Sequence, residues 1–247
     1  MSLHSHKLDG IAQNYFQLGK VAQFLGLPAL LDYAAELHDG ELIRVIEASV
    51  ADVSEFQTKK FESIFDFRFY RILMYSMVRA LKPTLFVESG VLHGLTTVFI
   101  LHALEKNSHG MLISADLPSY PETGPSNKDG CVAVLPKGKE PGWVIPAAMR
   151  ERWAFVKGPS SEVLPPLLRD REVDIFLHDS EHTTKTMQEE LRLGWQVLKP
   201  GGILVCDNFD MSSAFTDLVQ HARSPFIAMS TCDSGYLERV NLALSVK

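Results

Sequence analysis

Two stretches in the second half of the chain hold the side chains best suited to chemistry. Val173-Asp-Ile-Phe-Leu-His-Asp179-Ser-Glu-His182 is an apolar run closed by a carboxylate, with an imidazole three positions further on. Leu198-Lys-Pro-Gly-Gly-Ile-Leu-Val-Cys-Asp207-Asn208 is a second apolar run, closed by a carboxylate and an amide. If the two runs are neighbouring strands, Asp179, Asp207 and Asn208 bring three oxygen donors together at the strand ends. Such a set suits a hard divalent cation, Mg²⁺ or Ca²⁺, with water completing the shell. His182 is then a candidate general base, because an imidazole is readily neutral near pH 7. A plainer reading of the same residues is a pocket without metal, in which Asp179 caps a helix, Asn208 lines the floor and His182 is solvated.

A third stretch, Glu88-Ser-Gly90-Val-Leu-His-Gly94-Leu-Thr96, follows an earlier apolar run. Gly90 and Gly94 allow a sharp turn and a close approach of backbone to ligand. Thr96 and the first amides of a following helix are able to hold a carboxylate. A dinucleotide site would need G-x-G-x-x-G here, whereas the spacing is E-x-G-x-x-x-G. About twenty residues later Asp116 closes another apolar run, the distance at which a carboxylate meets both ribose hydroxyls of an adenosine ligand. A helix cap is the alternative for Asp116.

These residues need a scaffold that brings strand ends together. Short apolar runs alternating with helical stretches from residue 84 onward predict βαβ units and a mainly parallel sheet. The predicted strands are 84–88, 111–115, 154–157, 174–178, 202–206, 225–229 and 240–246. The last two are joined by a turn around 233–235, so the final strand is expected to enter antiparallel. The fold class is therefore α/β, a Rossmann-like doubly wound seven-stranded sheet over residues 81–247. Residues 1–80 form an N-terminal helical extension, a substrate wall or an oligomer contact, with helices at 14–27, 29–37 and 59–81. Residues 117–142, rich in Pro, Gly and Lys, form a loop long enough to act as a lid. Phe65, Phe67, Phe69, Tyr70, Met74 and Met77 read as core or cavity lining.

The glycine turn resembles the first motif of class I methyltransferases. The runs ending at Asp179 and Asn208 resemble the metal-dependent O-methyltransferases of the catechol and caffeoyl-CoA type, and a bacterial group that includes macrocin O-methyltransferase. The resemblance covers roughly residues 84–209. It implies S-adenosylmethionine as cofactor, held by Glu88 at the methionine end, by Gly90, Gly94 and Thr96, by Asp116, and by Ser160 in the adenine-side turn Lys157-Gly-Pro-Ser160. It also implies a cation on Asp179, Asp207 and Asn208 that binds the hydroxyl oxygens of a small hydroxylated substrate. Catechol and caffeoyl-CoA enzymes carry a base lysine three positions after the first metal aspartate, where this chain has His182. The Asp-x-x-His form is the one the bacterial group shows.

Composition narrows the partners. The 247 residues are 46% hydrophobic and 22% charged, with a net charge of −6, and no basic cluster tracks a phosphate backbone. Nucleic acid is not an expected partner. Cys131, Cys206 and Cys232 form no CxxC pair, and the first ten residues hold no apolar signal core, so a cytoplasmic protein without a membrane span is expected. Two rivals to the metal-assisted O-methyltransferase stay open: a metal-independent N-, C- or O-methyltransferase, and a catalytically silent S-adenosylmethionine-binding protein.

Overall fold

The computed structural model describes residues 3–51, 69–120, 128, 134–232 and 239–247, apart from the side chains of 3–13, 231–232 and 239–240. Seven strands form one sheet: β1 (Leu85–Ser89), β2 (Met111–Asp116), β3 (Trp153–Lys157), β4 (Val173–His178), β5 (Leu198–Asp207), β6 (Phe226–Cys232) and β7 (Arg239–Val246). Their order is β3-β2-β1-β4-β5-β7-β6. The first five run parallel, and β7 lies antiparallel between β5 and β6. The central strands are covered on both faces, which is why they read as unbroken apolar runs rather than alternating ones.

Helices α1 (Leu3–Leu25), α2 (Leu30–Glu36), α3 (Glu41–Val50), α4 (Phe69–Leu81) and α5 (Leu95–Asn107) supply one buried layer. Helices α6 (Ser160–Leu168), α7 (Thr184–Val197) and α8 (Ala214–His221) supply the other. The N-terminal helices share one continuous core with the sheet through α4, which packs on α5.

The largest departures from the expected elements are these, while β6 also runs on to Cys232. Helix α1 begins at Leu3 rather than at residue 14. Helix α3 was not expected; Leu42, Ile46 and Val50, spaced by four, form its buried stripe. Strand β5 starts at Leu198, so the Lys-Pro-Gly-Gly stretch belongs to the strand, with a shift of register against β4 between Val173 and Ile175. Residues 59–68 and the turn at 233–235 lie outside the described residues. Among the described residues no helix is long and apolar enough to cross a membrane.

Strand order reverses between β1 and β4. An open α/β sheet leaves a crevice there, beyond the carboxyl ends of the strands. Two backbone bonds knit that edge: Gly90 N donates to Ala115 O and Asp179 N to Ser89 O, both at 2.9 Å. The glycine turn, Asp116 and Asp179 are thereby brought to one place.

Candidate active site

A cleft of about 570 Å³ opens at this switch point. Gly90, Thr96, Asp116, Ser160, Asp179, His182, Asp207 and Asn208 line it, together with Tyr70 and Arg71 from α4. Of the residues expected at the site, Glu88 and Gly94 do not face the cleft.

Glu88 lies beneath the glycine turn, fully buried, and its Oε2 accepts from Thr97 Oγ1 at 2.9 Å and Ser114 Oγ at 2.7 Å. Burial pushes its carboxyl up to about 8, against the pull of those two hydroxyls. Its Oε1 has no hydrogen-bond partner among the described residues. Gly90 is required by close approach: at φ +87° a Cβ would lie 1.9 Å from the carbonyl oxygen of Asp179. Gly94, at φ +88°, packs against Gly142 in the same way.

Asp116 binds the turn directly. Its Oδ2 accepts from Leu92 N at 2.6 Å and Val91 N at 3.2 Å, while burial raises its pKa against those bonds. His93 sits in the turn with its Nδ1 accepting from Trp143 Nε1 at 3.0 Å. Burial, helped by the charge of Arg71, brings its pKa down to about 4, so its ring is neutral at pH 7. Gly142 N and Val144 N donate to Leu92 O and His93 O. The far end of the long 117–142 loop is thus fastened to the glycine turn. Lys128 N, further into that loop, donates to Glu181 Oε2 at 3.0 Å; residues 121–127 and 129–133 lie outside the described residues.

Ser160 does not act as a side-chain cap. The N-cap of α6 is Pro159, and the Ser160 hydroxyl donates to Glu190. Glu190 is a hub that sequence reasoning missed. Its carboxylate, with no exposure as a residue, also accepts from Ser89 Oγ at 2.5 Å and from Ser180 Oγ at 2.8 Å, and pairs with His178 Nδ1 at 2.6 Å. Burial alone would raise its pKa, but His178 and the serine hydroxyls outweigh it and the net shift is downward. Glu190 therefore ties together the ends of β1 and β4 and the start of α6. A signal was present: Glu190 falls on the buried stripe of α7 with Met187, Leu191 and Gly194, where a charge needs partners.

The acidic corner lies across the cleft. Ligand atoms of Asp179, His182 and Asp207 all fall within 4.8 Å of one another. Asn208, in a left-handed conformation at φ 48°, follows Asp207 on the cleft wall. Asp207 is 1% exposed as the last residue of β5, and Asp179 follows β4 directly. His182 precedes Thr183, whose side chain caps α7, and its ring meets that of His178 edge-on at 5.4 Å between centroids. Tyr70 OH donates to Asp179 Oδ2 at 2.7 Å and bonds Thr96 Oγ1 at 2.9 Å, linking the acidic corner to the start of α5. Tyr70 does line the cleft, one of the two roles its sequence allowed, but its bond to Asp179, 109 positions away, carries no signal in local spacing. Cys206 is buried in β5, and burial holds its thiol well above its usual value, in keeping with an inert core residue.

Residues 87–209 match the family described as Methyltransferase domain. No curated protein matches the chain by sequence. Among solved structures, the fold is similar to an O-methyltransferase from Bacillus cereus in complex with SAH (TM-score 0.55, 13% identity, 83% of this chain and 90% of that one). It is also similar to the O-methyltransferase TomG from Streptomyces achromogenes in complex with SAM (0.52, 15% identity, 82% and 88%). A third similar fold is a protein from Staphylococcus aureus described as a caffeoyl-CoA O-methyltransferase (0.52, 11% identity, 87% and 98%). At these identities the likeness shows the fold, while the matched domain spans the glycine turn, Asp116 and the acidic corner. Residues 87–209 thus form a methyltransferase domain, in a fold shared with solved methyltransferases that hold SAM or SAH.

Proposed function

We propose that the chain is a divalent-metal-assisted O-methyltransferase acting on a small hydroxylated molecule. The observation that carries this reading is the convergence of Asp179, His182 and Asp207 on the wall of the cofactor cleft, beside Asn208. The donor set fits a cation: two carboxylates and an amide oxygen are the ligands Mg²⁺ or Ca²⁺ takes. Several of the similar folds are described as O-methyltransferases, which supports oxygen as the acceptor atom.

In this reading Asp116 receives the ribose hydroxyls. Its Oδ2 is engaged by the turn, and no described residue donates to Oδ1. Gly90, Gly94 and Thr96 shape the methionine end, Glu88 supports them from below, and Ser160 closes the adenine side. Asp179, Asp207 and Asn208 would hold the cation, which when bound would lower the pKa of the acceptor hydroxyl and fix its oxygen. His182 takes the hydroxyl proton as the oxygen attacks the methyl carbon; the sulfonium leaves as S-adenosylhomocysteine and the acceptor leaves as a methyl ether. Tyr70 holds Asp179 in place through its 2.7 Å bond.

His182 has a second reading with its own support. Its ring nitrogen lies within the same 4.8 Å group as the two carboxylates, so it is also placed to be a third ligand. Calorimetric titration of Mg²⁺ and Mn²⁺ into His182→Ala separates the two: unchanged affinity fits a base, and lost affinity fits a ligand. The metal reading as a whole is tested by assaying a panel of catechols and hydroxylated sugars with S-adenosylmethionine, with Mg²⁺ or with excess chelator. Turnover that needs the ion supports it, and full turnover in chelator removes it in favour of a metal-independent transferase.

A further inference from the structure

Arg71 stands on α4 at the mouth of the glycine turn. Its Nε points at Thr96 Oγ1 at 3.4 Å, its guanidinium carbon lies 5.7 Å from the centre of the Tyr70 ring, and its charge is one of the causes that lower the pKa of His93. These contacts set the guanidinium beside the start of α5, where the first backbone amides have no partner within the helix.

The charge pattern of the cleft gives Arg71 its meaning. The acidic side chains on the lining are Asp116, Asp179, Glu181, Glu190 and Asp207, and among the described residues Arg71 is its one Lys or Arg. None of the ion pairs among the described residues uses Arg71. S-adenosylmethionine carries a sulfonium, an ammonium and a carboxylate. An acidic cleft attracts the first two and repels the third, so a cation placed at the carboxylate offsets that repulsion and strengthens the hold. A guanidinium meets a carboxylate with two parallel N–H bonds, and Thr96 with the first amides of α5 complete the donor set.

We infer that Arg71, from the N-terminal helical segment, binds the methionine carboxylate and thereby selects the complete cofactor over its decarboxylated form. The inference rests on the S-adenosylmethionine assignment and goes beyond it, because the residue lies outside the matched domain at 87–209. The N-terminal helices thus complete the cofactor site itself as well as one wall of the cleft.

The test is calorimetric binding of three ligands to the full chain: S-adenosylmethionine, decarboxylated S-adenosylmethionine, and 5′-methylthioadenosine, which lacks the amino-acid tail. Wild-type protein should prefer S-adenosylmethionine to the decarboxylated form by about tenfold or more, the scale of a charge-assisted hydrogen-bonded pair. Arg71→Met should cancel that preference by weakening S-adenosylmethionine, with 5′-methylthioadenosine binding unchanged as the sign of an intact cleft. Arg71→Lys, which keeps the charge and the stem, should retain part of the preference. An undiminished preference in Arg71→Met overturns the inference. So does equal loss of all three ligands in both variants, which makes Arg71 a structural prop. If wild-type protein binds none of the three, the cofactor assignment fails together with the inference; if it binds all three without preference, only the inference fails.

Discussion

The two halves of the cleft use similar side chains for different ends. On the β1–β3 side, Glu88, Asp116 and Ser160 are engaged with the protein itself, in bonds to Thr97, Ser114, the turn amides and Glu190, which joins that side to His178 at the end of β4. On the β4–β5 side, the ligand atoms of Asp179, His182 and Asp207 gather within 4.8 Å at the cleft wall. The first half is a rigid frame whose polar groups fix backbone for a ligand to rest on. The second half concentrates like charges, an arrangement that costs stability unless something positive is bound there. The contrast fits a division of labour in which the frame holds the cofactor and the acidic corner handles the acceptor.

The frame should break through folding. Glu190→Ala removes a buried carboxylate from His178 and three serines, and should lower unfolding stability by about 3–5 kcal/mol, the cost of breaking a buried pair. Chemical denaturation measures it; a loss under 1 kcal/mol would mean the hub is not a structural keystone. The acidic corner should break through chemistry instead. His182→Ala should reduce turnover by about a hundredfold or more while leaving the melting temperature near that of wild type. If instead stability falls and the residual enzyme is fully active, His182 belongs to the frame.

Two smaller effects sharpen the comparison. Asp116→Ala should cost about 1–3 kcal/mol of S-adenosylmethionine affinity by calorimetry, the scale for a hydrogen-bonded charged group. No change would leave Asp116 as a brace for Val91 and Leu92 alone. Glu88 gives a pH signature, because its folded pKa is raised from 4.5 to about 8. Across that window the folded chain keeps a proton that the unfolded chain has released. Its contribution is complete below 4.5 and is lost as the pH rises through about 8. The melting temperature of wild type relative to Glu88→Gln, measured in chelator, should therefore fall steadily across that range. A constant difference would show that Glu88 titrates normally.

Much of this was legible in the sequence because strand ends carry their own punctuation. Buried parallel strands are apolar runs, so a carboxylate or glycine that closes one is conspicuous; that made Gly90, Asp116, Asp179 and Asp207 readable at once. Helical contributions were harder. Glu190 sits next to Glu189 in α7, and only the phase of the helix tells which is buried. Tyr70 and Arg71 reach the cleft through packing between α4 and α5, a tertiary contact that no local spacing encodes. Glu88 was visible as a motif residue, but its turn away from the cleft toward Thr97 and Ser114 depends on register with β2, where Glu88 lies opposite Ser114. Sequence therefore located the ends of strands well and the directions of side chains poorly.

On this division of labour, cofactor binding and acceptor activation belong to different halves of the cleft. The most direct measurement is a paired one on Asp179→Ala and Asp207→Ala: S-adenosylmethionine affinity by calorimetry, and turnover in saturating Mg²⁺. Turnover should be abolished in both variants while cofactor affinity stays within about threefold of wild type, since an interaction used only in the reaction leaves ground-state cofactor binding largely untouched. Both variants active at wild-type rates, or both losing cofactor binding in step with turnover, would contradict that division.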